Sequence, residues 1–399
     1  MRAAVDDAFR TEWGRVVATL IRMTGEWDLA EECAQEAFAS ALATWPRDGV
    51  PSRPGAWLTT TARNRALDRI RRGAAEENRL RKLAPTLSDE PAPTEPDAVP
   101  DDRLRLMFTC CHPALPLAAQ VALTLRTLTG LTTTEIARAF LVPEPAMAQR
   151  LVRAKRKIRN ARIPYRVPPA ELLPERTAGV LGVLYLLFNE GYSDARRELT
   201  AEAIRLARVL VTLLPAAPEA AGLLALMLFH ESRRATRVDA AGDLVTLADQ
   251  DRTRWDRTMI DEGVAVLDRA FDQARPGPYQ LQAAIAACHA TATHAAETDW
   301  ARIAQLYALV RQVNPSPVVE LNRAVAVAEV AGPAAGLELV TSLAEPLAGY
   351  YLLPATRAHL LRRLDRTAEA RTAYEEALAL APTDAERRFL TRRLAELKP

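Results

Sequence analysis

Residues 131–159 read "LTTTEIARAFLVPEPAMAQRLVRAKRKIR". Thr132 and Glu135 stand at the spacing of a capping box, in which a hydroxyl and a carboxylate satisfy the open amides of a helix's first turn. That predicts a first helix over 133–140, with Ile136 and Phe140 facing inward and Ala137 small enough to let a second helix pass closely. The turn is Leu141-Val142-Pro143. A second helix begins near Glu144, where Pro143 and Pro145 are tolerated because first-turn amides have no intrahelical acceptor. The layout is that of a helix-turn-helix.

In the second helix Met147, Leu151, Ala154 and Ile158 form an inward stripe. Gln149, Arg150 and Arg153 fall outside it, in the half that such a motif inserts into a major groove. Arg and Gln offer the paired donors and acceptors that read base edges. Lys155, Arg156, Lys157 and Arg159 follow where phosphates would pass, each neutralised phosphate adding a salt-sensitive term. The alternative is a solvated amphipathic helix, which usually interleaves both signs of charge. From Glu144 to Arg166 there are instead eight cations and one anion, which favours DNA.

Outward from this stretch the composition is that of a helical protein: 49% hydrophobic residues in 399, only 16 glycines, and 6% aromatics. An all-α fold is expected. The net charge is only +2, yet residues 1–170 hold 26 Lys and Arg against 20 Asp and Glu, and residues 171–399 hold 26 against 30. A basic front and an acidic back suggest a nucleic-acid-facing part joined to a protein-facing one. No apolar run approaches the roughly 20 residues that span a bilayer. The charged N-terminus has no signal-peptide core, so a cytoplasmic location without membrane contact is expected.

Four domains are expected. Residues 1–82 read as helices: "DLAEECAQEAFASALATW" sets Leu29, Cys33, Ala37, Ala41 and Trp45 on one stripe, and "AWLTTTARNRALDRIRR" continues through Leu58, Ala62, Leu67 and Ile70. Residues 83–102 hold five prolines, six carboxylates and no Lys or Arg, an acidic linker. Residues 103–168 carry the helix-turn-helix. Residues 172–399 are periodic: Ala370, Tyr374, Ala377 and Pro382 are spaced +4, +3, +5, and Ala203, Ala207, Leu210 and Pro215 repeat those spacings. Gly191 and Ala225 lie 34 apart, as do Ala324 and Ala358, the period of tetratricopeptide helix pairs. About five degenerate repeats with an irregular insertion around 230–290 are expected, against the alternative of an Ala-rich bundle.

The cysteines, Cys33, Cys110, Cys111 and Cys288, show no disulfide spacing. Cys110-Cys111-His112 could offer metal ligands, but a structural zinc site wants four and no second pair exists; packed or reactive thiols are the expectation, with no metal. No Gly-rich phosphate loop, HExxH or GxSxG is present, so no enzyme is expected. Cys288, His289 and His294 read as a packed helix face. Polar clusters near Asn189, Glu190 and Tyr192, and near Asp249, Asp251, Arg252 and Trp255, could line a ligand groove or pair internally.

These residues resemble an extracytoplasmic-function (ECF) sigma factor of the sigma-70 family. "AEECAQEAFASALATW" and "PGAWLTTTARNRALDRIRR" are similar to its region two, and "TEIARAF" with "RLVRAKRKIR" to its region four. The length beyond region four places the chain nearer a subgroup with a C-terminal tetratricopeptide-like extension, to which "MFTCCHPALP", "LFNEGY" and "DLVTLADQDRTRWD" are also similar. The family commonly has Gly where this turn has Leu141.

The resemblance implies two small helical sigma domains followed by a TPR-like α-solenoid. It implies that Asp28, Glu31, Glu32, Gln35 and Glu36 dock on the β′ clamp helices of core RNA polymerase, with region four on the β flap. It implies that residues 46–55, with Arg53, and the face carrying Arg63, Asn64, Asp68, Arg71 and Arg72 capture a −10 element. Arg138, Glu144, Gln149, Arg150, Arg153, Lys155, Arg156, Lys157 and Arg159 would then serve the −35 element. The implied function is promoter-directed initiation without a cofactor, regulated by the C-terminal part or by a protein or ligand bound there. The rival is a stand-alone helix-turn-helix regulator with a repeat sensor domain, which leaves the first 82 residues without a role.

Overall fold

The computed structural model describes residues 2–81, 102–140, 142–191, 197–239, 242–273 and 276–397. Among them there are no strands, only an isolated bridge between Val238 and Leu244; the all-α expectation holds. The chain divides into two compact units, Met1–Leu206 and Ala207–Pro399.

The first unit opens with three helices, α1 (Arg2–Thr24), α2 (Trp27–Asp48) and α3 (Pro54–Arg81). Each packs on the other two. The predicted stripe of α2 is buried at Cys33, Ala37, Ala41 and Trp45, with Leu29 half-buried at its start. Phe9, Trp13 and Phe38 form an aromatic cluster with ring centroids 5.0–6.0 Å apart. On α3 the buried positions are Leu58, Ala62 and Ala66, while Ile70, expected inward, is 42% exposed. Ile70 is the next step of the four-residue spacing that buries Leu58, Ala62 and Ala66, yet it is exposed.

The linker expected over 83–102 lies outside the described residues as far as residue 101; its last residue, Asp102, instead begins the next helix. That helix is α4 (Asp102–Cys110), followed by α5 (Leu117–Thr124), a π-turn at Leu125–Thr129, α6 (Thr133–Ala139) and α7 (Glu144–Asn160). The capping box forms as expected: the Glu135 amide donates to Thr132 Oγ1 at 3.2 Å, and the Thr132 amide to Glu135 Oε2 at 2.7 Å. Met147, Leu151, Ala154 and Ile158 are all buried. Ile136 and Ala137 are buried and Phe140 half-buried, whereas Leu141 lies outside the described residues.

The two N-terminal helical segments, expected as separate tethered domains, pack on each other. Helix α1 meets α4 and the π-turn. Gly14 makes this possible: a Cβ there would sit 2.6 Å from the Leu128 carbonyl oxygen, far inside van der Waals contact. Gly130, at φ +79°, lies under Phe9 and Trp13 in the same way. The Tyr165 hydroxyl donates to the Ala18 carbonyl at 2.9 Å, and Arg22 donates to Asp102 at 2.9 Å. Helix α8 (Leu173–Gly191) packs on α4 and α5, and Arg176 donates to the Phe108 carbonyl at 2.6 Å. The first unit therefore extends past the boundary expected near residue 172.

The second unit begins within α9 (Arg197–Leu213) and continues through α10 (Pro218–Ser232), α11 (Arg257–Phe271), α12 (Pro278–Thr291), α13 (Trp300–Val313), α14 (Pro317–Ala331), α15 (Pro333–Thr341), α16 (Leu352–Arg363), α17 (Thr367–Leu380) and α18 (Asp384–Ala395). From α10 onward each helix packs on its successor. The periodic positions are core: Ala225, Ala324, Ala358, Ala370, Tyr374 and Ala377 are all buried. Pro215 and Pro382 come just after α9 and α17, where a residue lacking an amide cannot extend the helix. The irregular stretch is narrower than expected, spanning 233–256 between α10 and α11.

Candidate nucleic-acid interface

Helix α7 turns its apolar stripe onto α5 and α6. Its opposite face is therefore exposed by the 3.6-residue repeat, and Gln149, Arg153, Arg156 and Lys157 follow one another along it. The Arg153 guanidinium donates to Gln149 Oε1 at 3.5 Å, one turn back. Arg150 is half-buried, its guanidinium 5.9 Å from the centroid of the Phe140 ring. Gln149, Arg150, Arg153 and Lys157 line an open groove of about 820 Å³ whose far wall is Leu115 to Ala119. Arg138 and Glu144 are exposed at the end of α6 and the start of α7.

Two cations of the set point elsewhere. Lys155 Nζ lies 2.8 Å from both Asp28 Oδ1 and Glu31 Oε1, with its side chain only 12% exposed. Arg159 reaches Glu26 at 4.0 Å. Glu31 is buried and also accepts from Arg126 Nε at 2.9 Å, and Arg126 in turn donates to the Leu131 carbonyl at 3.1 Å. A carboxylate this deep is stable only because two cations and their hydrogen bonds replace its water. Glu31 is thus covered by Lys155 and Arg126, whereas Asp28 meets Lys155 but keeps its side chain 71% exposed.

The remaining acidic residues of α2 behave differently. Glu32 and Glu36 pair with Arg69, and Glu36 also accepts from Arg65 at 2.9 Å. The Arg65 hydrogen bond holds the Glu36 carboxyl below the usual carboxylate range. Gln35 is exposed. On α3, Arg63, Asn64, Asp68, Arg71 and Arg72 are exposed, as is Arg53 before it. Among the described residues no ion pair neutralises Arg63, Arg71 or Arg72. Of the stripe expected on α3, Leu58 and Ala62 are buried, Leu67 is half-buried and Ile70 is exposed, and sequence reasoning missed Arg65 and Arg69, which turn inward onto α2. Their i, i+4 spacing, facing Glu32 and Glu36 at the same spacing, was the available signal.

Cys110 and Cys111 are buried, their sulfurs 3.2 Å and 3.7 Å from the hydroxyls of Thr127 and Thr124. Burial pushes the Cys111 thiol up to about 12 and Cys110 in the same direction, so both remain protonated and pack as small apolar groups. The His112 ring accepts from the Ala114 amide at 3.1 Å.

Comparison with known proteins assigns the parts. Residues 9–76 match sigma-70 region 2 and residues 105–158 match sigma-70 region 4. Residues 176–271 match DUF6596, a family of unknown function. Over 404 aligned residues the chain is 45% identical to "Uncharacterized protein R00370" of Rhizobium meliloti (strain 1021), covering 98% of this chain and 96% of that one. It is 28% identical over 171 residues to "Probable ECF RNA polymerase sigma factor SigI" of Mycobacterium tuberculosis, covering 42% of this chain and 58% of that one. Among the described residues, no helix is long and apolar enough to cross a membrane.

Proposed function

We propose that this chain, whose residues 9–76 and 105–158 match sigma-70 regions 2 and 4, acts as an ECF-type promoter-specificity subunit of RNA polymerase with a TPR-like C-terminal regulatory unit. The observation that carries the reading is the outward face of α7, where Gln149, Arg153, Arg156 and Lys157 stand exposed on a helix-turn-helix. With Arg138, Glu144 and Arg150 they serve the −35 element. The exposed Arg53, Arg63, Asn64, Asp68, Arg71 and Arg72 serve the −10 element, where extruding a base costs a few kcal/mol of stacking that polar edge contacts offset. Such a protein works in the cytoplasm beside the polymerase, and no covalent step is assigned to it.

Polymerase docking falls to α2, through Asp28, Glu31, Glu32, Gln35 and Glu36. The packing of α1 on the π-turn adds a condition. Glu31 is held by Lys155 and Arg126, so the same contacts mask one carboxylate of the polymerase-binding edge and one DNA-facing cation together, while Asp28 pairs with Lys155 and stays exposed. Engagement of the clamp helices therefore competes with this closed pairing, and opening it releases Lys155 for phosphate. The helix-on-successor packing of α12 to α18 and the buried small residues at 34-residue spacing support the TPR-like reading of the second unit.

The test is transcription by purified core polymerase on a promoter selected from genomic fragments. Promoter-specific initiation that depends on this chain is the expected result. DNA binding without association with core, or initiation only when another sigma factor is supplied, overturns the reading in favour of a stand-alone regulator.

A further inference from the structure

The second unit holds a solvent-open cavity of about 540 Å³ that none of the sigma-70 features uses. Its walls come from the irregular stretch at 246–252, from the ends of α12 and α13, and from α14, α16, α17 and α18. Each of these helices belongs to the stack, so the cavity lies where successive pairs turn their inner faces to one another. The volume is that of a site for a small organic molecule.

The charges around it are unevenly satisfied. Glu329 is taken by Arg363, outside the cavity lining. Asp249 pairs with Arg393 at 3.5 Å, and Arg393 also reaches Glu396 at 2.9 Å. Arg252 and Arg362 remain, and among the described residues neither has a carboxylate within ion-pair distance.

Arg252 is only 6% exposed. One terminal nitrogen donates to the carbonyls of His289 and Ala292, at 2.6 Å and 2.9 Å, and the guanidinium lies 4.8 Å from the Trp255 ring centroid. Its Nε is buried without a hydrogen-bond partner, and so is the Nε of Arg362, which otherwise bonds the Tyr374 side chain. Two guanidinium groups that line one cavity without a carboxylate partner are costly to withdraw from water unless a counter-ion meets their exposed terminal nitrogens.

The rest of the lining specifies what that anion carries. Trp300, Phe389 and Leu390 supply aromatic and aliphatic wall. His289 and His359 add imidazoles that burial and neighbouring arginines hold neutral, His289 down to about 4. They contribute hydrogen-bonding edges without adding charge at neutral pH. We propose that this cavity binds a small amphipathic organic acid, its carboxylate on Arg252 and Arg362 and its apolar body against Trp300 and Phe389. Arg is suited to the task because its planar fork meets a carboxylate with two parallel bonds.

The test uses the full chain and two fluorescent probes of nearly the same shape: the anionic 8-anilinonaphthalene-1-sulfonate and its neutral analogue N-phenyl-1-naphthylamine. Saturable binding of the anion at one site per chain is expected, at least about tenfold tighter than the neutral probe, with decanoate displacing it. Arg362→Gln should weaken the anion about tenfold and leave the neutral probe unchanged, and Arg362→Lys should recover part of the loss. Equal affinity for both probes, many weak sites per chain, or indifference to Arg362→Gln overturns the proposal. The comparison of probes on the wild-type chain stands even if a variant fails to fold. Because the readout is binding alone, its failure leaves the promoter-specificity reading untouched.

Discussion

Replacing Gly14 with alanine should open the first unit. The new Cβ would stand 2.6 Å from the Leu128 carbonyl oxygen, about 0.4 Å inside the 3.0 Å that real Cβ contacts essentially never breach. That oxygen cannot retreat freely, because it accepts from Arg205 at 3.1 Å and belongs to the π-turn that α1 packs on. Overpacking of this kind costs about 1–3 kcal/mol. Helix α1 itself is not weakened, since alanine exceeds glycine in helix propensity by about 1 kcal/mol in open and closed states alike. The cost therefore falls on the contact between α1 and the π-turn, and shifts the open-to-closed ratio about 5- to 150-fold. Affinity for core polymerase, reduced by the fraction of chain that is competent, should rise by up to the same factor. The assay pairs a core-binding titration with energy transfer between dyes at positions 42 and 117, both occupied by exposed leucines in the two packed segments. Wild-type transfer efficiency together with wild-type affinity in the Gly14→Ala chain would refute the claim that this packing limits access to the polymerase.

Three further outcomes follow from the same geometry. Arg126→Met leaves the buried Glu31 with Lys155 as its remaining partner and should lower stability by about 3 kcal/mol, read as a drop in thermal midpoint; a change under 1 kcal/mol would mean that water already reaches the carboxylate. Arg153→Ala should cost promoter binding about 1–3 kcal/mol and relax base preference at one position, whereas Arg156→Ala with Lys157→Ala should weaken all sequences alike and flatten the dependence on salt, as competition binding at several salt concentrations would reveal. Acid should destabilise the second unit. His230 and His289 titrate near about 3 and about 4 in the folded chain, below the 6.5 of an exposed histidine, so the unfolded state binds protons first as pH falls. Stability is thus full above about pH 6.5 and is lost on acidification toward pH 4, by about 3 kcal/mol for His289 alone. A thermal midpoint of that unit unchanged between pH 7 and pH 4.5 would contradict the burial of these rings.

How much of this was legible in the chain depends on the distance over which the physics acts. The capping box at Thr132 and Glu135, and the buried run Met147, Leu151, Ala154 and Ile158, are decided within two or three helical turns, and the sequence carries them completely. The stop positions Pro215 and Pro382 are equally local. Ile70 was misplaced because α3 continues beyond the groove that buries Leu58, Ala62 and Ala66, and a helix's own periodicity does not reveal where its neighbour ends.

The pairing of Glu31 with Lys155 and Arg126 was not legible for a different reason. Each residue fits its local surroundings as a surface charge: Glu31 in an acidic helix, Lys155 in a basic one. Only the approach of α1 to the π-turn, permitted by the missing side chain at Gly14, brings opposite charges across more than 90 residues of sequence into one buried site. The consequence reaches the candidate sites themselves. The resemblance assigned α2 to the polymerase, and charge pattern with helix layout assigned α7 to DNA, each as an exposed face, whereas the fold spends part of both faces on each other. A residue can thus belong to two interfaces that exclude one another, and mutating it cannot separate them. Gly14 can, because it touches neither the carboxylates proposed for the polymerase nor the cations proposed for DNA, and acts only through the contact between α1 and the π-turn.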